Sequence, residues 1–426
     1  MTTESKPQNG FMGLGIAPNI LQALLKHSYT TPTPIQLKAI PLAVEGQDVM
    51  GIAQTGTGKT LAFGIPMIQR ILQGKGPGLI VLPTRELALQ VNESIQKIGL
   101  ALGIKTAVLI GGAPMGRQVG EIRRGPNIVI GTPGRIIDHL EQKTLVLSFV
   151  KILVLDEADR MLDMGFAPQL KKIMVTVPAV RQTLLFSATM PAEIMQMAKS
   201  FMKLPVHIEI APQGTAAERV TQEVFMVARE QKGGLLQRLL TQYRGSVLVF
   251  SRTKHGAKKV ARDLRTVGCT AAEIHSNRSL NQRKEALTGF KNGTYRVLVA
   301  TDIAARGIDV TGIELVVNYD LPDRAEDYIH RIGRTGRAGA AGHAISFATS
   351  EQRGDLRTIE RLLRRSLPMA KLPDAIPIIK SPPIRESMND DAARPYSQKR
   401  SYNSRPSGGF KHHRPASPGQ RSNRRR

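Results

Sequence analysis

Short, unbroken apolar runs recur along the chain. They are Val49–Ile52, Leu79–Leu82, Ala107–Ile110, Ile128–Ile130, Ile152–Leu155 and Thr183–Phe186, then Val247–Phe250, Val297–Ala300, Leu315–Val317 and Ala344–Phe347. Rich in leucine and β-branched residues, they lack the polar alternation of a strand with one wet face, and so predict strands buried on both faces. Helical patterns separate them, which predicts parallel pairing through right-handed crossovers. Two such series predict two α/β domains, at 10–210 and 219–372. Between them, at 211–218, Ala211-Pro212-Gln213-Gly214-Thr215 is a turn-forming linker. No tandem repeat of about 20 to 50 residues is visible, although the halves are compatible with one shared fold.

The pattern stops after Lys371. Pro, Ser, Arg, Asn and Gly dominate from Lys380 to Arg426, and the last three residues are arginines. Too few apolar residues remain there to offset the entropy of ordering, which predicts a disordered basic tail over 373–426. Residues 1–9 are polar and predict a flexible start without the apolar stretch of a signal peptide.

Charge narrows the function. The 426 residues carry a formal net charge of +26, a bias typical of proteins that meet polyanions. Nucleic acid is the first reading and an anionic membrane the second. No run of about twenty apolar residues exists, so no membrane span is expected, and the simple reading is a soluble cytoplasmic protein. A single cysteine, Cys269, excludes an internal disulfide and a multi-cysteine zinc site, and suits a reducing compartment. With no tryptophan and 4% aromatic residues, wide base-stacking platforms are not expected.

The candidate chemistry begins where the first strand ends. Ala53-Gln54-Thr55-Gly56-Thr57-Gly58-Lys59-Thr60 has the glycines and the Lys-Thr pair of a phosphate loop at a helix start. Lys59 is placed to reach the β- and γ-phosphates of ATP, and Thr60 to put its hydroxyl on Mg²⁺. The general pattern has glycine where this chain has Ala53. About a hundred residues on, the run Ile152–Leu155 leads into Asp156-Glu157-Ala158-Asp159. Asp156 at a strand end suits Mg²⁺, and Glu157 suits orienting and deprotonating an attacking water. Acidic residues there would also favour a helix N-terminus through its dipole, but the upstream Lys59-Thr60 pair favours an ATP-hydrolysing site.

Further on, Tyr328-Ile329-His330-Arg331-Ile332-Gly333-Arg334-Thr335-Gly336-Arg337 spaces three arginines to clamp an anion. Its glycines argue against a plain surface helix, since each weakens a helix by about 1 kcal/mol. An arginine from a second domain can stabilise charge on the γ-phosphate.

Together these motifs resemble the DEAD-box ATP-dependent RNA helicases, and within them the compact bacterial RhlE-like group. The resemblance covers about residues 10 to 372 and implies two tandem RecA-like domains with parallel sheets. It implies that Pro32-Thr33-Pro34-Ile35-Gln36 reads adenine, with Gln36 on the base edge and Phe11 stacked on the ring. Ala53 is usual in the family. The Ser187-Ala188-Thr189 segment, with Asp159 and His330, would couple ATP state to unwinding. In Ala300-Thr301-Asp302-Ile303-Ala304-Ala305-Arg306-Gly307-Ile308-Asp309, the last aspartate would contact the ribose. Arg334 and Arg337 would face the γ-phosphate, with Arg337 the favoured finger.

The same resemblance implies single-stranded RNA across both domains. Thr84, Arg85, Gly111, Gly112, Thr132 and Arg135 are the first-domain contacts, and Arg252, Thr253, Arg283 and Thr301 those of the second. Arginine forks and glycine backbone suit phosphates, so little base preference is expected. Two departures stand out. Ser276 follows His275 where the family commonly has glycine, and Leu280 replaces a common glutamine, which predicts a weaker RNA grip in the second domain. A monomer is expected, with the ribosome and RNA-decay machinery as open settings. A DNA translocase and a non-enzymatic RNA-annealing scaffold are the other classes. The first has no need of Gln36, and the second has no need of an ATP site.

Overall fold

The computed structural model describes residues 10–54, 56–210, 220–305, 310, 312–336 and 342–376. The expected flexible start, the linker and residues 377–426 lie outside them, as do Thr55, Asp309 and Arg337. Two seven-stranded sheets carry the chain. The first contains β1 (Val49–Ile52), β2 (Gly78–Val81), β3 (Thr106–Leu109), β4 (Ile128–Gly131), β5 (Ile152–Asp156), β6 (Gln182–Ser187) and β7 (Val206–Glu209). Their order is β3-β4-β2-β5-β6-β1-β7. The second contains β8 (Val220–Met226), β9 (Val247–Phe250), β10 (Ala271–Ile274), β11 (Val297–Ala300), β12 (Leu315–Asn318), β13 (Gly342–Ala348) and β14 (Met369–Ala370). Their order is β10-β11-β9-β12-β13-β8-β14. Neighbouring strands run parallel in both.

The two orders superimpose strand for strand, β1 on β8, β2 on β9, and so on around each sheet. The halves therefore share one topology without sharing a visible repeat. The uninterrupted apolar runs have the expected reason. Along β5, Ile152 and Val154 enter the core on one face while Leu153 and Leu155 enter that on the other, as a strand period of two requires. Helices cover both faces, leaving the loops at the carboxyl ends of the strands as the place for ligands.

Four strands have no counterpart among the apolar runs. β7 and β8 mix polar positions with apolar ones, β10 begins Ala-Ala-Glu, and β14 has only two residues. Edge position in β7, β10 and β14, and polar residues along β8, remove the signal that marks the central strands.

Both lobes belong to one compact unit. A buried pair joins them, Arg283 Nη2 donating to Glu86 Oε2 at 2.8 Å, and Arg324 of the second lobe pairs with Asp163 of the first. No described helix is long and apolar enough to cross a membrane.

Candidate nucleotide and nucleic-acid site

The loop after β1 turns into the helix Lys59–Leu72 through Gly58, whose φ is 88°. A Cβ there would come within 2.5 Å of Gln36 Nε2 and 2.9 Å of Thr33 Oγ1, so both conformation and space require glycine. Gln36 braces the turn. Its Nε2 donates to the Gly58 carbonyl at 2.9 Å and its Oε1 accepts from Thr33 N at 2.9 Å. One amide hydrogen and one lone pair are left for a base edge. Thr57 donates its hydroxyl to the Gln54 carbonyl at 2.7 Å, and Ala53 N donates to the Ser187 carbonyl at 2.9 Å, tying the loop to β6. Phe11 is buried and lines a cavity of about 390 Å³ with Gln36, Gly56, Gly58, Lys59, Thr60, Asp156 and Glu157. Tyr29, Gln90 and Ser94 also line it. Those three were not legible, since nothing in the sequence separates them from ordinary helix and loop residues.

Lys59 is the most telling residue. It is 5% exposed, its Nζ lies 3.7 Å from Asp156 Oδ1, and it has no hydrogen-bond partner. The second lobe supplies an internal control. Its first helix after β8 also opens on a buried lysine, Lys232. That ammonium is satisfied by its own chain, donating to the Tyr319 carbonyl at 2.8 Å and to Asp320 Oδ1 at 3.1 Å. A buried ammonium left without such bonds is costly. The geometry around Lys59 therefore fits a phosphate anion, whereas Lys232 is already held by oxygens of its own lobe.

The acidic end of β5 lies across the cavity. Burial pushes the Asp156 carboxyl up to about 6, against the pull of Lys59. Glu157 has φ 53°, a left-handed conformation unusual for a residue with a side chain. Burial opposes its charge, but Arg160, Lys59 and Arg334 outweigh it and hold the carboxyl below its ordinary value. Its Oε2 accepts from Arg160 Nη1 at 3.3 Å, while Oε1 has no partner. This is an ionised carboxylate with one oxygen uncommitted, as a general base requires. Arg160, 1% exposed, is a site residue that the motif reading passed over. Its position three residues after Glu157, on the short helix Ala158–Asp163, was the available signal.

Asp159 joins this end to β6. Its Oδ2 accepts from Ala188 N at 3.2 Å, Thr189 N at 2.9 Å and Thr189 Oγ1 at 2.9 Å, and its own N–H donates to Ser187 Oγ at 3.2 Å. Burial opposes the Asp159 charge, but His330, Arg160, Lys59 and the Thr189 hydroxyl outweigh it and hold the carboxyl low. Burial and Arg160 in turn push the His330 imidazole below its ordinary value, against the pull of Asp327 and Asp159. His330, Arg334 and Arg160 line one crevice between the lobes.

The expected three-arginine clamp is reduced by the structure. Arg331 is locked inside the second lobe, with Nε and Nη2 on the two oxygens of Asp302 at 2.5 and 2.7 Å and Nη1 on the Asp320 carbonyl at 2.6 Å. A buried guanidinium held in this way anchors the helix Ala325–Ile332 to the lobe's own strand ends. Of the motif's described arginines, Arg334 is the one whose charge reaches Glu157.

The nucleic-acid candidates fall on matching strand ends. Thr84 and Thr253 follow β2 and β9, and each caps the next helix, accepting from Leu87 N at 3.3 Å and Gly256 N at 3.0 Å. Gly111-Gly112 and His275-Ser276 follow β3 and β10, and Thr132 and Thr301 follow β4 and β11. Arg135 Nη1 donates to the Ala113 carbonyl at 3.0 Å, and Arg85 lies over the glycine pair. Two candidates point elsewhere. Arg252 Nε pairs with Asp323 Oδ1 at 3.2 Å, and Arg283 is buried against Glu86 between the lobes.

Two RecA-like lobes with a phosphate loop on one and an arginine on the other define a two-lobed nucleotide-dependent motor. The comparisons give the family. The DEAD/DEAH box helicase pattern matches residues 33–197, and that of the helicase conserved C-terminal domain matches 231–339. The DEAD-box ATP-dependent RNA helicase CshA of Geobacillus kaustophilus is 42% identical over 366 residues, covering 85% of this chain and 78% of that one. DEAD-box ATP-dependent RNA helicase 30 of Arabidopsis thaliana is 44% identical over 371 residues, and this chain spans 63% of its length. The chain belongs to the DEAD-box ATP-dependent RNA helicases.

Among solved structures, S. cerevisiae Dbp5 bound to RNA and ADP BeF3 gives a TM-score of 0.77 at 30% identity, covering 85% of this chain and 95% of that one. Mss116p bound to ssRNA and AMP-PNP gives 0.79 at 28%, covering 87% and 81%. A DEAD box protein from Methanococcus jannaschii, 39% identical and covering 85% and 99%, gives only 0.51. The TM-score is thus higher for the two RNA-bound neighbours than for the more identical M. jannaschii protein.

Proposed function

We propose that the chain is a nucleotide-driven clamp that separates short RNA duplexes, of the RhlE-like kind. One observation carries this reading. A buried Lys59 without a hydrogen-bond partner shares the pocket with an ionised Glu157 on one lobe, and Arg334 from the other lobe adds its charge to that carboxylate. Only when the lobes meet is the charge set complete. ATP and RNA binding bring them together, and the joined strand-end surfaces fit a bent single strand better than a regular duplex. A short duplex then falls apart before re-pairing. Glu157 takes the proton of the attacking water, and hydrolysis lets the lobes part. The 2′-hydroxyl is the feature that would favour RNA over DNA. Unwinding should be efficient on short duplexes and poor on long ones in a strand-displacement assay. Processive unwinding of long duplexes would overturn the clamp.

Thr60 and Asp156 are the residues that would hold Mg²⁺, which screens the charge of the phosphates. The raised Asp156 value gives this a sign. Below about pH 6 the carboxyl carries a proton, above it a charge. The affinity for ATP and magnesium is expected to fall about tenfold per pH unit below that point, as one proton must be displaced. A flat affinity from pH 7 to 5 would remove Asp156 from the metal site.

The basic tail is proposed to hold RNA non-specifically. If six of its cations each met one phosphate, log affinity would fall with log salt at a slope of about 4. Removing residues 380–426 is expected to flatten that dependence and spare maximal ATPase. An unchanged slope would refute the role.

A further inference from the structure

Leu280 stands where the family commonly has a polar side chain, and the sequence alone suggests a lost contact. The structure shows a different one. Leu280 opens the helix Leu280–Lys291 of the second lobe, yet it packs against the hydrophobic core of the first. Its Cβ lies 3.9 Å from the point where a Cβ on Gly112 would stand, which is van der Waals distance. Gly112 has φ 80° and Arg85 Nη1 would lie 2.5 Å from that same Cβ, so the turn presents bare backbone to its neighbours. One helical turn on, Arg283 donates to Glu86 at 2.8 Å. An apolar contact and an ion pair thus sit side by side on the seam.

We propose that Leu280 is an interlobe docking residue, which seats the second lobe on the Gly111-Gly112 turn by apolar contact and stabilises the joined state. The inference rests on the clamp reading and deepens it. Gly111-Gly112 is also the proposed phosphate contact of the first lobe, so RNA and Leu280 act on one turn. RNA that orders the turn prepares the seat for Leu280, and a seated Leu280 holds the turn for RNA. The two partners of the seam differ in kind. Leu280 contributes buried apolar surface, whereas Arg283 contributes a charge that would be left without its partner if Glu86 were neutralised.

The test uses the full chain with a donor and an acceptor dye, one on each lobe, titrated with single-stranded RNA in the presence of AMP-PNP. Leu280→Gln and Leu280→Ala are expected to raise the RNA concentration for half-closure about tenfold, the effect of withdrawing most of one leucine from its contact. Leu280→Met should stay within about twofold of the parent, as a volume-conserving swap. The kcat at saturating RNA should change little, so the loss appears in half-saturation. The defect of Leu280→Gln should be equal at low and high salt, since no charge is lost. Thermal unfolding of each variant separates misfolding from undocking. Half-closure unchanged in Leu280→Gln, or a Leu280→Gln defect that vanishes at high salt, would overturn the inference. If the parent chain itself does not close, the clamp reading fails instead, and the two failures are distinct.

Discussion

Glu157→Gln is expected to stop turnover while leaving ATP and RNA bound together. The amide keeps the shape of the side chain and an oxygen for Arg160 Nη1, now 3.3 Å from Oε2, so the pocket should persist. What disappears is a carboxylate that Arg160, Lys59 and Arg334 keep ionised against the burial that opposes it. A positioned general base contributes about 10² to 10⁴ in rate, so kcat should fall by about a thousandfold. Affinity for ATP should stay within a few-fold, and the lifetime of the RNA complex should lengthen because reopening waits on hydrolysis. Steady-state phosphate release and RNA dissociation, measured on the same sample, check both halves. Normal turnover would strip Glu157 of its role.

Arg334→Ala is expected to have an effect of similar size for a different reason. Arg334 is 3% exposed and belongs to the second lobe, yet its charge acts on Glu157 in the first. Arginines supplied in this way contribute about 10³ to 10⁵ in rate. The variant should lose at least a thousandfold in RNA-stimulated kcat while nucleotide affinity without RNA is unchanged, since the first-lobe pocket is intact. Arg334→Lys should recover only part of the loss, because an ammonium lacks the planar fork. Since the residue is buried, thermal unfolding must accompany the kinetics. A variant that is fully folded and fully active would exclude Arg334 from the reaction.

The central strands were legible because strands buried on both faces leave an unbroken apolar run, as Ile152–Leu155 does. Strand β8, inserted between β13 and β14, was not, because Thr221, Gln222 and Glu223 interrupt its pattern. The phosphate loop and the acidic run were legible because glycine, lysine and carboxylate chemistry at fixed spacing has few other uses. Arg331 and Arg334 show the limit. Both sit in one motif three residues apart, and only the fold separates the one locked on Asp302 from the one reaching across to Glu157. Arg160 and Leu280 show the converse. Arg160 gains its meaning from Glu157 one helical turn before it, and Leu280, legible only as a departure from the family pattern, gains its meaning from the bare Gly112 turn of the other lobe.

The most direct measurement is ATP hydrolysis by the full chain with no nucleic acid, with single-stranded RNA, and with DNA of the same base sequence, at fixed magnesium and salt. Completion of the site by the second lobe predicts slow hydrolysis alone, strong stimulation by RNA and little by DNA. Equal rates in all three would contradict the account, for the Lys59 pocket would then work without its partner lobe.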